Sequence, residues 1–107
     1  MTEQALFILA CLDGGECHGY GIAKSVRELS DGRVRLTAGT LYGALTRLND
    51  EGLIEATGEN VVDGRRRRYY RLTGAGESAL VAEVERMRAT AATLGRRIAL
   101  SERPGLT

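Results

Sequence analysis

The chain has 107 residues, 43% of them apolar and 27% charged, and a net charge of +1; this supports one folded domain with one modest core and excludes a disordered chain. No apolar run approaches the roughly 20 residues that span a bilayer, and Met1-Thr2-Glu3-Gln4 lacks a secretory signal's basic flank, so a cytoplasmic protein is expected. Cys11 and Cys17 are too few for a disulfide scaffold and spaced unlike a zinc ribbon or a CxxC pair, which leaves reduced thiols.

Ala5, Leu6, Ile8, Leu9 and Leu12 recur with a helical period that Asp13-Gly14-Gly15 ends, predicting a first helix from about Thr2 to Leu12. A second helix carries Tyr20, Ile22, Ala23, Val26 and Leu29, and Ser30-Asp31-Gly32 closes it with a residue able to take positive φ. Val34 and Leu36 then alternate with Arg33 and Arg35 in a short extended segment. Thr37 has the chemistry of an N-cap, after which Leu41, Leu45 and Leu48 recur at i, i+4 and i+7 as far as Asp50-Glu51-Gly52. This third helix buries a leucine ridge. Its opposite face carries Gly39, Thr40, Gly43, Thr46 and Arg47, with Tyr42 near the edge, and such small residues permit close approach to another surface.

From Leu53 the pattern becomes strand-like, with Leu53 to Thr57 and Asn60-Val61-Val62 before Asp63-Gly64, and Arg65 to Leu72 after it. Asp-Gly marks a tight hairpin, because both central positions of a type I′ turn need positive φ. Tyr69 and Tyr70 point to opposite faces of the returning strand, so at least one packs under the hairpin. The last helix begins at Thr73 and runs to about Leu100, before Pro104-Gly105. Along it Leu80, Val84, Met87, Ala91, Leu94 and Ile98 alternate steps of four and three, a coiled-coil-like seam that serves either as core against the first helix or as a dimer interface, with its distal half expected to meet a partner.

Charge is unevenly placed. Met1 to Gly32 leans acidic, whereas Arg33 to Arg71 holds Arg33, Arg35, Arg47, Arg65, Arg66, Arg67, Arg68 and Arg71. A polyanion is served by a local basic patch and not by bulk pI. A solvated hairpin edge protected from aggregation by its charges explains Arg65 to Arg68 equally well in isolation. Beside the third helix, phosphate or minor-groove contact becomes the favoured reading. Thr40 can meet a thymine methyl and Arg47 a guanine edge, while Tyr42 either reaches a phosphate with its hydroxyl or covers Leu45 and the wing base with its ring. His18, with Cys11 and Cys17, has no acidic or sulfur partner at metal-ligand spacing, so capping or packing is its expected role and no metal or cofactor is implied.

Three helices, a basic hairpin and a protruding helix, in that order, describe a mostly α chain with a small β-hairpin wing: a winged helix-turn-helix plus a long C-terminal dimerisation helix. The specific strings are His18-Gly19-Tyr20-Gly21-Ile22, then Thr37-Ala38-Gly39-Thr40-Leu41-Tyr42 with Leu45 and Leu48, then Glu51-Gly52-Leu53-Ile54. Arg66-Arg67-Arg68-Tyr69-Tyr70-Arg71-Leu72-Thr73 with Gly76 completes them. Together, over roughly Leu6 to Leu80, they closely resemble the PadR family of transcriptional regulators. The resemblance implies a DNA-binding region over 1–72, and a dimerisation helix with a short tail over 73–107, forming one compact unit. It places Gly39, Thr40, Tyr42 and Arg47 on the recognition helix and Arg65 to Arg68 on the wing.

The expected contacts to double-stranded operator DNA are Arg35, Thr37, Gly39, Thr40, Tyr42, Gly43, Arg47, Arg65, Arg66, Arg67 and Arg68. Those to a second copy are Leu6, Leu9, Leu80, Val84, Met87, Ala91, Leu94 and Ile98. Family members are typically repressors released by small, often aromatic ligands or by other signals, so a small-molecule effector is expected, in the gap between the first and last helices of both subunits. The chain departs from the family in lacking tryptophan and in having Gly43 where proline is common. A winged-helix module that docks another protein is the alternative. An enzyme is disfavoured: one histidine, no serine or cysteine with a matched base and no clustered carboxylates leave no catalytic group with a partner.

Overall fold

A computed structural model describes residues 1–101 of the protein. Local side-chain chemistry starts each helix. Thr2 caps α1 (Glu3–Asp13) by accepting the Ala5 N–H at 3.1 Å. After β1 (Cys17–His18), the His18 ring caps α2 (Gly19–Leu29), its Nδ1 accepting the Gly21 N–H at 3.1 Å. Two residues with positive φ, Asp31 at 55° and Gly32 at 79°, turn the chain after α2. The Arg33–Leu36 segment joins no ladder; instead the buried Ser30 hydroxyl accepts the Val34 N–H at 2.9 Å. Thr37 caps α3 (Ala38–Asp50). The hairpin consists of β2 (Ile54–Val62) and β3 (Arg65–Leu72), and its Asp63 and Gly64 adopt φ of 52° and 76°, as a type I′ turn requires. Thr73 then caps α4 (Gly74–Ser101), accepting the Gly76 N–H at 3.0 Å and donating to the Gly52 carbonyl at 2.6 Å. Pro104-Gly105, expected to bound this helix, lies outside the described residues.

The three strands are antiparallel in the order β1-β3-β2, so the arginine strand is central. β1 was not foreseen, because two residues show no alternation; it pairs Cys17 with Tyr70 and His18 with Tyr69. Between β2 and β3 the register runs from Ile54–Leu72 to Val62–Arg65, interrupted by a bulge between Ala56 and Gly58.

One core joins all four helices and the sheet: Ile8, Leu9 and Leu12 of α1, Ile22 and Val26 of α2, and Leu41, Ala44, Leu45 and Leu48 of α3 meet Val34, Ile54, Tyr70 and Leu80. Each large aliphatic side chain buried there contributes roughly 1.5–3 kcal/mol. Two expected dimer contacts therefore need correction. Leu9 is 0% exposed and Leu80 9% exposed within a single chain, because α4 packs its first turns on α1, leaving neither side chain surface for a partner. Leu6 is half-buried against the same core. The core thus crosses the boundary expected after residue 72.

Past Leu80, α4 leaves the body. Its 28 residues extend about 42 Å at 1.5 Å per residue, which accounts for a molecule measuring 66 × 27 × 21 Å. Along this arm Met87, Leu94 and Ile98 are 51%, 55% and 54% exposed, and Val84 and Ala91 are exposed with them.

Candidate nucleic-acid interface

The buried ridge of α3 fixes what its other face presents. Because Leu41, Ala44, Leu45 and Leu48 point inward, helical periodicity turns Gly39, Gly43 and Thr46 outward, with Tyr42 on one flank and Thr40 and Arg47 on the other. A Cβ added at Gly39 or Gly43 would meet nothing within 4 Å. The fold therefore does not require glycine at either position, although glycine within a helix costs about 0.5–1 kcal/mol relative to alanine. The flat outer face is what both residues provide. Thr37 is committed to the helix start: its oxygen accepts the Thr40 N–H at 3.3 Å and its hydroxyl donates to Thr40 Oγ1 at 3.0 Å.

Between α2, α3 and the hairpin lies an open cleft of about 650 Å³, lined by His18, Gly19, Tyr20, Ala23, Leu36, Ala38, Leu41, Tyr42 and Arg65 to Arg68. The sheet order produces it, since central β3 carries its arginines alongside the start of α2. Tyr42 is held over Gly19, its hydroxyl 3.0 Å from where a Cβ would stand. Carboxylates of β2 restrain part of the basic strand. Glu59 receives Arg68 at 3.1 Å and Arg66 at 3.6 Å, and Glu55 receives Arg71. Donating hydrogen bonds to Glu59 holds the Arg68 guanidinium above its usual pKa range. Arg65 and Arg67 enter no ion pair among the described residues; Arg67 instead brings Nη1 to 2.9 Å from His18 Nε2.

The remaining arginines separate. Arg35 donates to the Gly32 carbonyl at 3.2 Å and shares a smaller hollow with Tyr20, Lys24, Arg27 and Leu36, next to the cleft. Arg33 turns away, pairing with Glu3 and lying 5.9 Å over the Phe7 ring. Arg47 lines a separate hollow with Met1, Thr2, Ala5 and Glu51, on the flank of α3 away from the hairpin arginines. Burial, and secondarily the neighbouring Arg67, lowers the His18 pKa. Burial pushes the Cys11 thiol up to about 11 and raises Cys17 as well, so both are weak nucleophiles near neutral pH.

A family model described as the transcriptional regulator PadR-like family matches residues 8–82 of the chain, from the middle of α1 to the first turns of α4 and including every residue of the cleft. The chain belongs to the PadR-like family of transcriptional regulators. This PadR-like chain is 44% identical over 75 residues to the transcriptional regulator Rv3488 of Mycobacterium tuberculosis, a match covering 70% of this chain and 66% of that protein. It is also 33% identical over 63 residues to an uncharacterised Lysinibacillus sphaericus protein, of which it spans 58%. Its fold resembles a PadR family regulator from Clostridium difficile, with a TM-score of 0.78, 30% identity and coverage of 91% of this chain and 99% of that one. It is also similar to Bacillus subtilis PadR in complex with operator DNA, with a TM-score of 0.68, 26% identity and coverage of 78% of this chain and 48% of that one. Among the described residues, no helix is long and apolar enough to cross a membrane.

The resemblance read from the strings and the winged-helix architecture are both borne out. His18 caps α2 as expected, but its approach to Arg67 and the pairing of Glu59 with the wing arginines were not anticipated. His18 and Arg67 lie 49 residues apart, and their meeting depends on the two-residue strand β1, which leaves no periodic signal.

Proposed function

We propose that the chain is a dimeric repressor that binds a pseudo-palindromic, double-stranded operator, inserting α3 into the major groove and laying the β2–β3 wing against flanking backbone. One observation carries the reading: Tyr42, on the flank of α3 that adjoins its outward Gly39 and Gly43, and the arginines of β3 border a single cleft on one side of the molecule. Gly39 and Gly43 let the helix backbone approach the bases. Thr40 and Arg47 stand where base edges are read, with Arg47 at the end of the footprint farther from the wing. Arg65, Arg66, Arg67 and Arg68 neutralise phosphates, Arg35 and the Tyr42 hydroxyl flank them, and Thr37 acts through the helix start it caps. The similarity to a PadR bound to operator DNA supports this assignment.

The dimer is carried by α4. An arm of this length with Val84, Met87, Ala91, Leu94 and Ile98 along one seam satisfies itself best against a second copy, because a heptad spacing places each knob between residues of an equivalent helix. Two copies present two recognition helices, and an effector bound between α1 and α4 of the pair releases DNA by changing their separation or tilt. Such a repressor acts in the cytoplasm, with no cofactor and no catalytic step.

The test is binding to the promoter region of the chain's own gene, followed by selection from a random duplex library and measurement of half-site spacing. Two half-sites about one helical turn apart, with steeply salt-dependent affinity, are expected. Failure to bind any duplex at low salt would overturn the reading and leave a protein-docking module.

A further inference from the structure

His18 caps α2, but capping accounts for only one of its two ring nitrogens. A neutral imidazole carries one proton. Nδ1 accepts the Gly21 N–H at 3.1 Å, which leaves that proton on Nε2. Nε2 in turn faces Arg67 Nη1 at 2.9 Å, and a guanidinium only donates. Two donors therefore meet head-on. Exchanging the tautomer moves the conflict to Gly21 without removing it, since the ring then offers an N–H to an N–H there. Protonating the ring creates both conflicts at once. An acceptor seated beside Nε2 and Arg67 resolves the arrangement and keeps the cap, and a negatively charged acceptor also answers the guanidinium.

The surroundings suit such an acceptor. Tyr20 stacks parallel to the His18 ring at 6.4 Å and Tyr69 meets it edge-on at 5.5 Å, so the direction of the Nε2–H is fixed. Both donors open onto the cleft beside α3. The wing carboxylates Glu59 and Glu55 are engaged elsewhere, by Arg66 and Arg68 and by Arg71.

From this geometry we infer that His18 Nε2–H and the Arg67 guanidinium together hold one phosphate of the DNA backbone, which makes His18 a DNA-contacting residue as well as a helix cap. The inference rests on the DNA-binding reading above and deepens it. The phosphate oxygen is held by one donor at the start of α2 and one on β3, so binding it links the wing to α2 and steadies the wing's angle to the recognition helix.

His18→Asn tests it, because asparagine preserves an N-cap acceptor while removing the second donor. Wild type and H18N are compared on a selected duplex and on copies of it in which single phosphates are replaced by uncharged methylphosphonates. H18N is expected to bind the unmodified duplex about tenfold more weakly, the scale of one hydrogen bond to a charged group, with its melting temperature unchanged. At one backbone position, neutralisation should weaken the wild type and leave H18N unaffected. Arg67→Gln, half-buried on β3 and compared only if its thermal melt matches the wild type, should be insensitive at that same position. Equal losses for wild type and H18N at every position would overturn the inference, as would insensitivity of the two variants at different positions. Displacement of DNA by inorganic phosphate at matched ionic strength would assign the site to a free anion and overturn it too. A wild type that binds no duplex would sink the DNA reading itself, an outcome distinct from these.

Discussion

Gly76 of α4 and the carbonyl of Leu53 are in such close contact that a Cβ on Gly76 would lie 1.9 Å from that oxygen and 2.8 Å from a Leu72 methyl. This contact seats α4 on the base of the wing, and through α4 it sets where the long arm leaves the body. A backbone oxygen cannot swing aside as a flexible side chain can. Gly76→Ala is therefore expected to destabilise the fold by about 3 kcal/mol or more, whereas Gly74→Ala, which meets nothing within 4 Å, should be neutral or mildly stabilising. Urea unfolding of the two variants checks this, and equal midpoints would refute the contact.

Gly43→Ala separates folding from function. An open helical position with no neighbour gains about 0.5–1 kcal/mol from alanine, so the thermal midpoint should rise. Operator affinity should fall, because the added methyl stands on the face that approaches the bases. A gel-shift titration alongside a thermal melt reads both effects; undiminished affinity would remove α3 from the interface.

Glu59 restrains two of the wing arginines, so Glu59→Gln should free Arg66 and Arg68 for phosphate. Non-specific duplex affinity is expected to rise, with the slope of log K against log salt steeper by up to about two. Stability should change by less than about 1 kcal/mol, since the pairs are exposed. A slope shallower than that of the wild type would contradict the wing's role.

The lowered pKa of His18 gives stability a sign with pH. Where the folded pKa lies below the unfolded one, the unfolded chain binds the proton more readily, so stability is full above the usual imidazole value of about 6.5 and is lost as pH falls through the folded value. Protonation also removes the Nδ1 acceptor from the α2 cap. Wild type and H18N, equally stable near pH 7, should therefore diverge on acidification to pH 5, with the wild type losing stability relative to H18N. A constant difference across that range would show that His18 does not titrate as its surroundings require.

Core and seam on α4 should respond differently. Leu80→Ala removes a side chain enclosed by the chain itself and should cost roughly 2–5 kcal/mol. Leu94→Asp lies far out on the exposed arm; it should leave the body folded and abolish the dimer, as read by sedimentation at concentrations where the wild type associates. A monomeric wild type would overturn the dimer proposal directly.

Much of this molecule was legible one segment at a time. The leucine spacing in α3, the Asp63-Gly64 turn and the capping threonines are local codes, each decided within a few residues by periodicity or by the φ a position must adopt. The same holds for the outward set Gly39, Gly43 and Thr46, because burying one face of a helix determines the other. The family resemblance, too, is carried by short strings.

Long-range packing decided the rest. Leu9, Leu80, Leu94 and Ile98 have the same apolar character, and only the docking of α4 on α1 makes the first two core and the last two surface. Arg33, Arg47 and Arg67 have identical side chains in one charge-rich stretch, yet one is neutralised by Glu3, one is set apart beside the start of α1, and one meets His18. From the sequence alone came the helices, the hairpin and the chemistry available at each position. Which charges share a surface, and which apolar side chains remain exposed, depended on contacts between residues far apart in the chain, whose energies no local pattern encodes.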